Sequence, residues 1–176
     1  MNRADEESAS AILDSPVGPL FARAHAGTLT QLSFSRGSSP VTPLAQQRNA
    51  SRDVIDAVRA QLHEYFAARR TEFDVPLKLI GPPFHIRVWE ALRAIPYGKT
   101  MAYGELAAKL GDHGAARAVG AANAANPIVI IVPCHRVIGA DGTLVGFGGG
   151  LQRKRLLLDL ESGKTALDLV AFAVPN

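Results

Sequence analysis

The stretch "TEFDVPLKLIGPP", residues 71–83, limits what this chain can fold into more than any other. Pro76, Pro82 and Pro83 carry no backbone N–H and have a fixed φ. They cannot sit inside a helix or in a central strand. The segment therefore reads as an extended connector, and the patterns on its two sides must build separate bodies. We place the boundary near residue 80.

The two sides follow different periods. Within "PVGPLFARAHAGTLTQLSF", 16–34, Leu20, Ala22 and Ala24 alternate, as do Leu32 and Phe34, and Gly27 supplies a turn between two short strands. "SRGSSPVTPLAQQRNA", 35–50, has the Ser, Pro and Gly content of a loop. Val54, Ile55, Val58, Leu62 and Phe66 then recur at helical spacing, with Ser51 as the expected N-cap and Arg69 and Arg70 near the C-terminal end.

Beyond the connector the pattern is mainly helical. Phe84, Val88, Leu92 and Ile95 share one face, and "PYGKT" ends that helix. "TMAYGELAAKLG" reads as a short helix with Thr100 as N-cap and Gly111 as stop. "AARAVGAANAAN" is another, closed by Asn126 before Pro127. Two short helices joined through "DHG" have the grammar of a helix-turn-helix. The apolar run "IIVPCHRVIG", the turn "GADGTL", the loop "VGFGGGL" and a helix carrying Leu156, Leu157 and Leu160 complete the chain. The expected fold is α/β of the α+β kind. Residues 1–80 form a small subdomain with an antiparallel sheet, a helix and the connector, and 81–176 a mostly helical domain.

Several functions are excluded at this level. One cysteine cannot make an internal disulfide, and no Cys/His cluster has zinc-site spacing, so we expect no metal, no cofactor and a reducing, cytoplasmic setting. "MNRADEESAS" is too acidic and polar for a signal peptide, and no run approaches a membrane span; no membrane partner is expected. The net charge of +3 arises wholly after residue 80, which suits local contact with a polyanion.

The single cysteine, Cys134, lies between Pro133 and His135, with Arg136 next. It reads either as a small buried residue or as a nucleophile whose thiolate is favoured by imidazole and guanidinium neighbours. In an extended chain His135 would point to the opposite face from Cys134, so a bridging water or a bend after Pro133 would be required. Glu161, on the last helix, reads either as a group that orients the histidine or as a solvated helix-end carboxylate. The second helix of the pair is almost all Ala, Gly and Asn apart from Val119 and Arg117. It has too few polar side chains to read a major groove, whereas a small-residue face and one long cation suit a minor groove. Tight helix packing with Arg117 as a plain surface charge remains the other reading. Gly146, Gly148, Gly149 and Gly150 let backbone amides come close to a planar ligand or simply form a flexible turn. Tyr103 either donates its hydroxyl to a ligand or packs.

"VPCHRVIG", with "ARAVG" and "NP" upstream and "GFGGGLQRKRLLLDLE" downstream, resembles the O6-alkylguanine-DNA alkyltransferases. The likeness covers about residues 15–162. It implies direct repair, in which an O6-alkylguanine, and to a lesser extent O4-alkylthymine, is flipped from the duplex and its alkyl group moves irreversibly to Cys134. His135 would deprotonate the thiol through water, Glu161 would orient the imidazole, and Asn126 would brace the turn. Arg117 would fill the gap left by the base, and Tyr103 would rotate the nucleotide and bind guanine N3. Lys154 would lie near the pocket, and Val137 would hold the guanine amine. Phe147, Gly148, Gly149 and Asn123 would line the pocket. Ala116, Ala118, Gly120, Ala121 and Arg136 would meet DNA through the minor groove, with the protein acting as a monomer.

Three positions depart from the family's usual pattern: "GPPFH" at 81–85, Ala102 where serine is frequent, and Asn123 where some members carry a larger apolar residue. Gly148 stands where some relatives have serine, so only its N–H could serve O6. Two other activities compete with this reading. A lesion-binding relative without transfer would lack the acceptor cysteine, which Cys134 argues against. A cysteine hydrolase would need an oxyanion hole for which no signature is present.

Overall fold

The computed structural model describes residues 7–35, 37 and 49–163. The fold is mixed α/β, in two compact units that part between Lys78 and Leu79.

In the first unit, β1 (Ser8–Leu13), β2 (Leu20–His25) and β3 (Thr28–Phe34) form an antiparallel sheet in that order. The hairpin expected within 16–34 is there, and β1 is an additional strand. The sequence pattern does not announce β1 because "SASAIL" is short and weakly apolar; its alternation becomes clear only when Ala9, Ala11 and Leu13 pair with Ala24, Ala22 and Leu20. Ala26 and Gly27, both at positive φ (47° and 71°), close the two-residue hairpin loop. Helix α1 (Ala50–Phe66) covers one face of the sheet, burying Val54, Ile55, Val58, Leu62, Tyr65 and Phe66.

The expected cap of α1 is corrected. Asn49, not Ser51, is the N-cap, and its side chain accepts from the Arg52 N–H. Ser51 is buried and its hydroxyl accepts from Gly27 N–H while donating to the Glu7 carbonyl. It ties the helix start to the hairpin loop and to the chain before β1. The connector runs beside β3, with Leu29 N–H donating to the Pro76 carbonyl at 2.8 Å and Lys78 N–H to the Leu29 carbonyl at 2.9 Å. Most of the loop expected at 35–50 lies outside the described residues.

The second unit is built on α2 (Pro83–Arg93), α3 (Tyr103–Lys109), α4 (Ala116–Ala124) and α5 (Leu151–Glu161). A short parallel pair, β4 (Met101–Ala102) with β5 (Val137–Ile138), joins the start of α3 to the chain after Cys134. Thr100 does not cap α3. Ala102 occupies the N-cap position, and Glu105 reaches back to its N–H at 2.7 Å. Gly111, at φ 84°, follows α3 as expected for a helix stop. α4 packs on both α2 and α3. Trp89 of α2, missed in the sequence pattern, is buried and donates its indole N–H to the Ala122 carbonyl of α4 at 2.8 Å. Among the described residues no helix is long and apolar enough to cross a membrane.

Candidate active site

Residues 126–136 form a series of tight turns. Asn126 accepts from Ile128 N–H at 3.0 Å through Oδ1 and donates to the Val132 carbonyl at 2.7 Å through Nδ2. One side chain thus closes both ends of the segment between them. Ile130 inside it has φ 72°, a conformation that a β-branched residue adopts only under constraint. The strain is held by Asn126 and by burial, since Ile130 is 1% exposed.

The extended geometry considered for Cys134 and His135 is not what forms. Cys134–Arg136 is a single 3₁₀ turn, with Cys134 N–H donating to Val132 and Arg136 N–H to Pro133. The turn sends the imidazole and guanidinium inward, to the end of α5. His135 is fully buried, with Nε2 2.8 Å from Glu161 Oε1. Arg136 grips the same carboxylate at two points: Nε donates to Oε2 at 2.8 Å and Nη2 to Oε1 at 2.9 Å. Its Nη1 donates to the Ile95 carbonyl at 2.6 Å. Gly98 N–H supplies a fourth bond to Glu161, at 3.2 Å to Oε2.

The expectation that Arg136 meets DNA is corrected. The guanidinium is buried and committed to Glu161 and Ile95. A planar fork facing a carboxylate pairs in two places, which fixes the carboxylate as well as neutralising it. Gly98 has no signal in the sequence pattern beyond its place in a turn. It is at φ 72°, and a Cβ there would lie 2.9 Å from the Glu161 carbonyl oxygen, so the "PYGKT" turn needs glycine to come this close.

These contacts set the protonation states. Burial alone would raise the Glu161 carboxyl, but the hydrogen bonds and charges of His135 and Arg136 prevail and hold it at about 2. Burial holds His135 below the ordinary imidazole range, against the pull of Glu161. With an ionised Glu161 accepting at Oε1, Nε2 carries the proton of a neutral ring. Nδ1 is then a lone-pair acceptor; it is buried and has no hydrogen-bond partner among the described residues. Burial pushes the Cys134 thiol up to about 11, with the Asn126 side chain and Lys154 pulling it the other way. The thiol is protonated at neutral pH, and the next residue of the same turn is a neutral base.

Lys154 of α5 is fully buried and donates to the Val137 carbonyl at 2.5 Å and the Val145 carbonyl at 2.8 Å. Burial lowers its ammonium to about 8, against the pull of Cys134. It ties β5 to the loop before Gly146, and it lies 5.8 Å from the Tyr103 ring centroid. The Tyr103 hydroxyl is within 3.2 Å of the Val145 and Gly146 carbonyls. Phe147 and Gly149 are half-buried and Gly148 is exposed in the same loop. Asn123, buried on α4, donates through Nδ2 to the Cys134 carbonyl at 3.3 Å.

The outer side of α4 carries Arg117, Ala118 and Ala121, all exposed, with Ala116 and Gly120 half-buried, while Val119, Ala122 and Asn123 face inward. Nothing larger than an alanine methyl stands beside Arg117 on that exposed strip. Among the described residues no group of three or more His, Cys, Asp or Glu could hold a metal ion.

Residues 83–163 match the family described as 6-O-methylguanine DNA methyltransferase, DNA binding domain, and 10–79 match its ribonuclease-like domain. A methylated-DNA–protein-cysteine methyltransferase of Mycobacterium tuberculosis is 49% identical over 160 residues, 91% of this chain and 96% of the relative. The chain belongs to the methylated-DNA–protein-cysteine methyltransferases. One from Methanosarcina acetivorans is 44% identical over 86% of this chain and 96% of its own length. The crystal structure of Mycobacterium tuberculosis OGT in complex with DNA superposes with a TM-score of 0.77 at 47% identity, covering 92% of this chain and 98% of that one. Membership in this family makes the protein an enzyme of DNA alkyl-damage repair.

Proposed function

We propose that this methyltransferase takes the alkyl group of an O6-alkylguanine in duplex DNA onto Cys134, in one irreversible turnover. The observation that carries the reading is the 3₁₀ turn that puts a buried, protonated Cys134 in sequence with His135, a neutral imidazole held by the Glu161 carboxylate that Arg136 clamps. The Sγ proton passes through one water to His135 Nδ1 as Sγ attacks the alkyl carbon. The C–O6 bond breaks, its electron pair stays with the guanine, and a proton then gives the neutral base. The S–C bond formed is a thioether, and nothing in the site provides for its hydrolysis.

A thiol held at about 11 suits a reagent used once, because it stays unreactive until a substrate arrives. The Lys154 ammonium stabilises charge on sulfur and on the departing base as the step proceeds. The small-residue strip of α4 suits a minor groove, with Arg117 entering the stack where the base has left. Tyr103 and the loop at 145–149 receive the flipped base, and the protein works as a monomer. O4-alkylthymine is a weaker substrate in this reading.

The test is incubation with a duplex carrying labelled O6-methylguanine. Label is expected on the Cys134 peptide in a 1:1 ratio to protein, and Cys134→Ala is expected to bind the duplex without transfer. Tight binding with all label left on DNA would instead make the protein a lesion binder. Multiple turnovers would sink the suicide mechanism.

A further inference from the structure

Resting on the reading above, we propose that Asn123 is a specificity-determining residue whose Oδ1 accepts a hydrogen bond from the 2-amino group of the flipped guanine. Asn123 is 2% exposed, and its Oδ1 has no hydrogen-bond partner among the described residues. The orientation of the amide is not arbitrary. Nδ2 faces the Cys134 carbonyl at 3.3 Å, and a carbonyl tolerates only the donor end of an amide. Asn123 also pulls the Tyr103 phenol down against the rise that burial causes, so the amide acts on that tyrosine as well as on the nucleophile's own backbone. The acceptor end is therefore fixed, buried and unsatisfied, whereas among the described residues the other buried polar side-chain atoms are paired except His135 Nδ1. Such an atom carries a desolvation cost that a donor on a ligand would remove.

The chemistry of the substrate names the donor. Alkylation at O6 removes the N1 proton of guanine, which leaves N1, N3 and N7 as acceptors. The exocyclic 2-amine is then the one donor on the base. An acceptor in this pocket that pairs with the base must pair with that amine. The amine has two N–H groups, so Asn123 Oδ1 takes one and the Val137 carbonyl, which already accepts from Lys154, is free to share the other.

Two duplexes and three proteins test this. Single-turnover transfer is measured from O6-methylguanine and from O6-methylhypoxanthine, which lacks the 2-amine, with the wild type, Asn123→Leu and Asn123→Asp. The wild type is expected to prefer the guanine. In Asn123→Leu that preference should shrink by about threefold to tenfold, the range of one neutral hydrogen bond. Asn123→Asp, buried as the neutral acid, keeps both a donor for the Cys134 carbonyl and an acceptor oxygen and should keep the preference, which also serves if the leucine variant does not fold. An unchanged guanine-to-hypoxanthine ratio in Asn123→Leu, or its collapse in Asn123→Asp, overturns the assignment of Asn123 alone. Absence of transfer from O6-methylguanine by the wild type overturns the functional reading with it.

Discussion

Among the described residues up to Lys78 the buried side chains are apolar except Ser51 and Gln61, and both of those serve local geometry: Ser51 pins the hairpin loop, and Gln61 pairs with Asp74. From Leu79 onward the buried set includes Asn123, Asn126, His135, Arg136, Lys154 and Glu161. Burying charge disfavours folding unless every member is paired, and a core made of leucine would stabilise the unit as well or better. The contrast therefore separates a unit built for its own stability from one that accepts an electrostatic cost, which in the proposed reading serves to hold Cys134 and His135 in place.

The sharpest way to break this contrast is Glu161→Gln. It removes the charge that Arg136 and His135 share and leaves a buried guanidinium without its counter-ion. We expect a loss of about 3–5 kcal/mol in urea unfolding and a fall in transfer rate of about 10²–10⁴ per folded molecule. If the rate fell no more than it does in a variant of similar stability elsewhere, the carboxylate would have no part in the chemistry.

Acid should separate the units without any substitution. Glu161 titrates at about 2 when folded and near ~4.3 when unfolded. A depressed carboxyl contributes its stability above the unfolded value and loses it as pH falls through the folded one. His135 acts in the same sense, because its folded value lies below its unfolded one and protonation on acidification favours the unfolded chain. The Glu161 contribution lost between pH 5 and 2 is roughly 3 kcal/mol, since each tenfold difference in proton affinity between the folded and unfolded chain is worth about 1.4 kcal/mol. Urea titrations at pH 7 and pH 3 should show Glu161→Gln losing less on acidification than the wild type.

Arg117→Ala addresses the surface of the second unit. Transfer from duplex O6-methylguanine should slow by about tenfold or more, consistent with a few kcal/mol of unstacking to be offset. Reaction with free O6-methylguanine base should be unchanged, and an equal loss on both would place Arg117 in the chemistry.

Ser51→Ala should have the smallest effect. It leaves the Gly27 N–H and the Glu7 carbonyl without their shared partner, at a cost of about 1–2 kcal/mol. The transfer rate of the folded protein should not change, and a change would mean that the first unit acts on the site.

Much of the fold can be read from periodicity. The hairpin at 20–34 and the apolar faces of α1, α2 and α5 follow from spacing alone, because a residue's neighbours along a helix or strand are fixed by local geometry. Caps are harder to read. Asn49 and Ser51 are both good capping residues two positions apart, and the choice is made by Ser51's bonds to Gly27 and Glu7, far away in sequence.

In the site, the sequence by itself determined that the single cysteine follows Pro133 and precedes a histidine and an arginine, and that an isolated arginine sits on a helix of small residues. The tertiary structure decided what those groups face. Local propensity does not predict a 3₁₀ turn at Cys134 or a positive φ at Ile130; Asn126 closing the segment imposes them. Arg136 has the same charge as Arg117, and its sequence neighbours give no reason for it to avoid a phosphate. It became a clamp because the end of α5 and the "PYGKT" turn bring Glu161 and the Ile95 carbonyl within reach of its fork. A side chain's donors are written in the sequence, but its acceptors are chosen by which segments the packed core brings together.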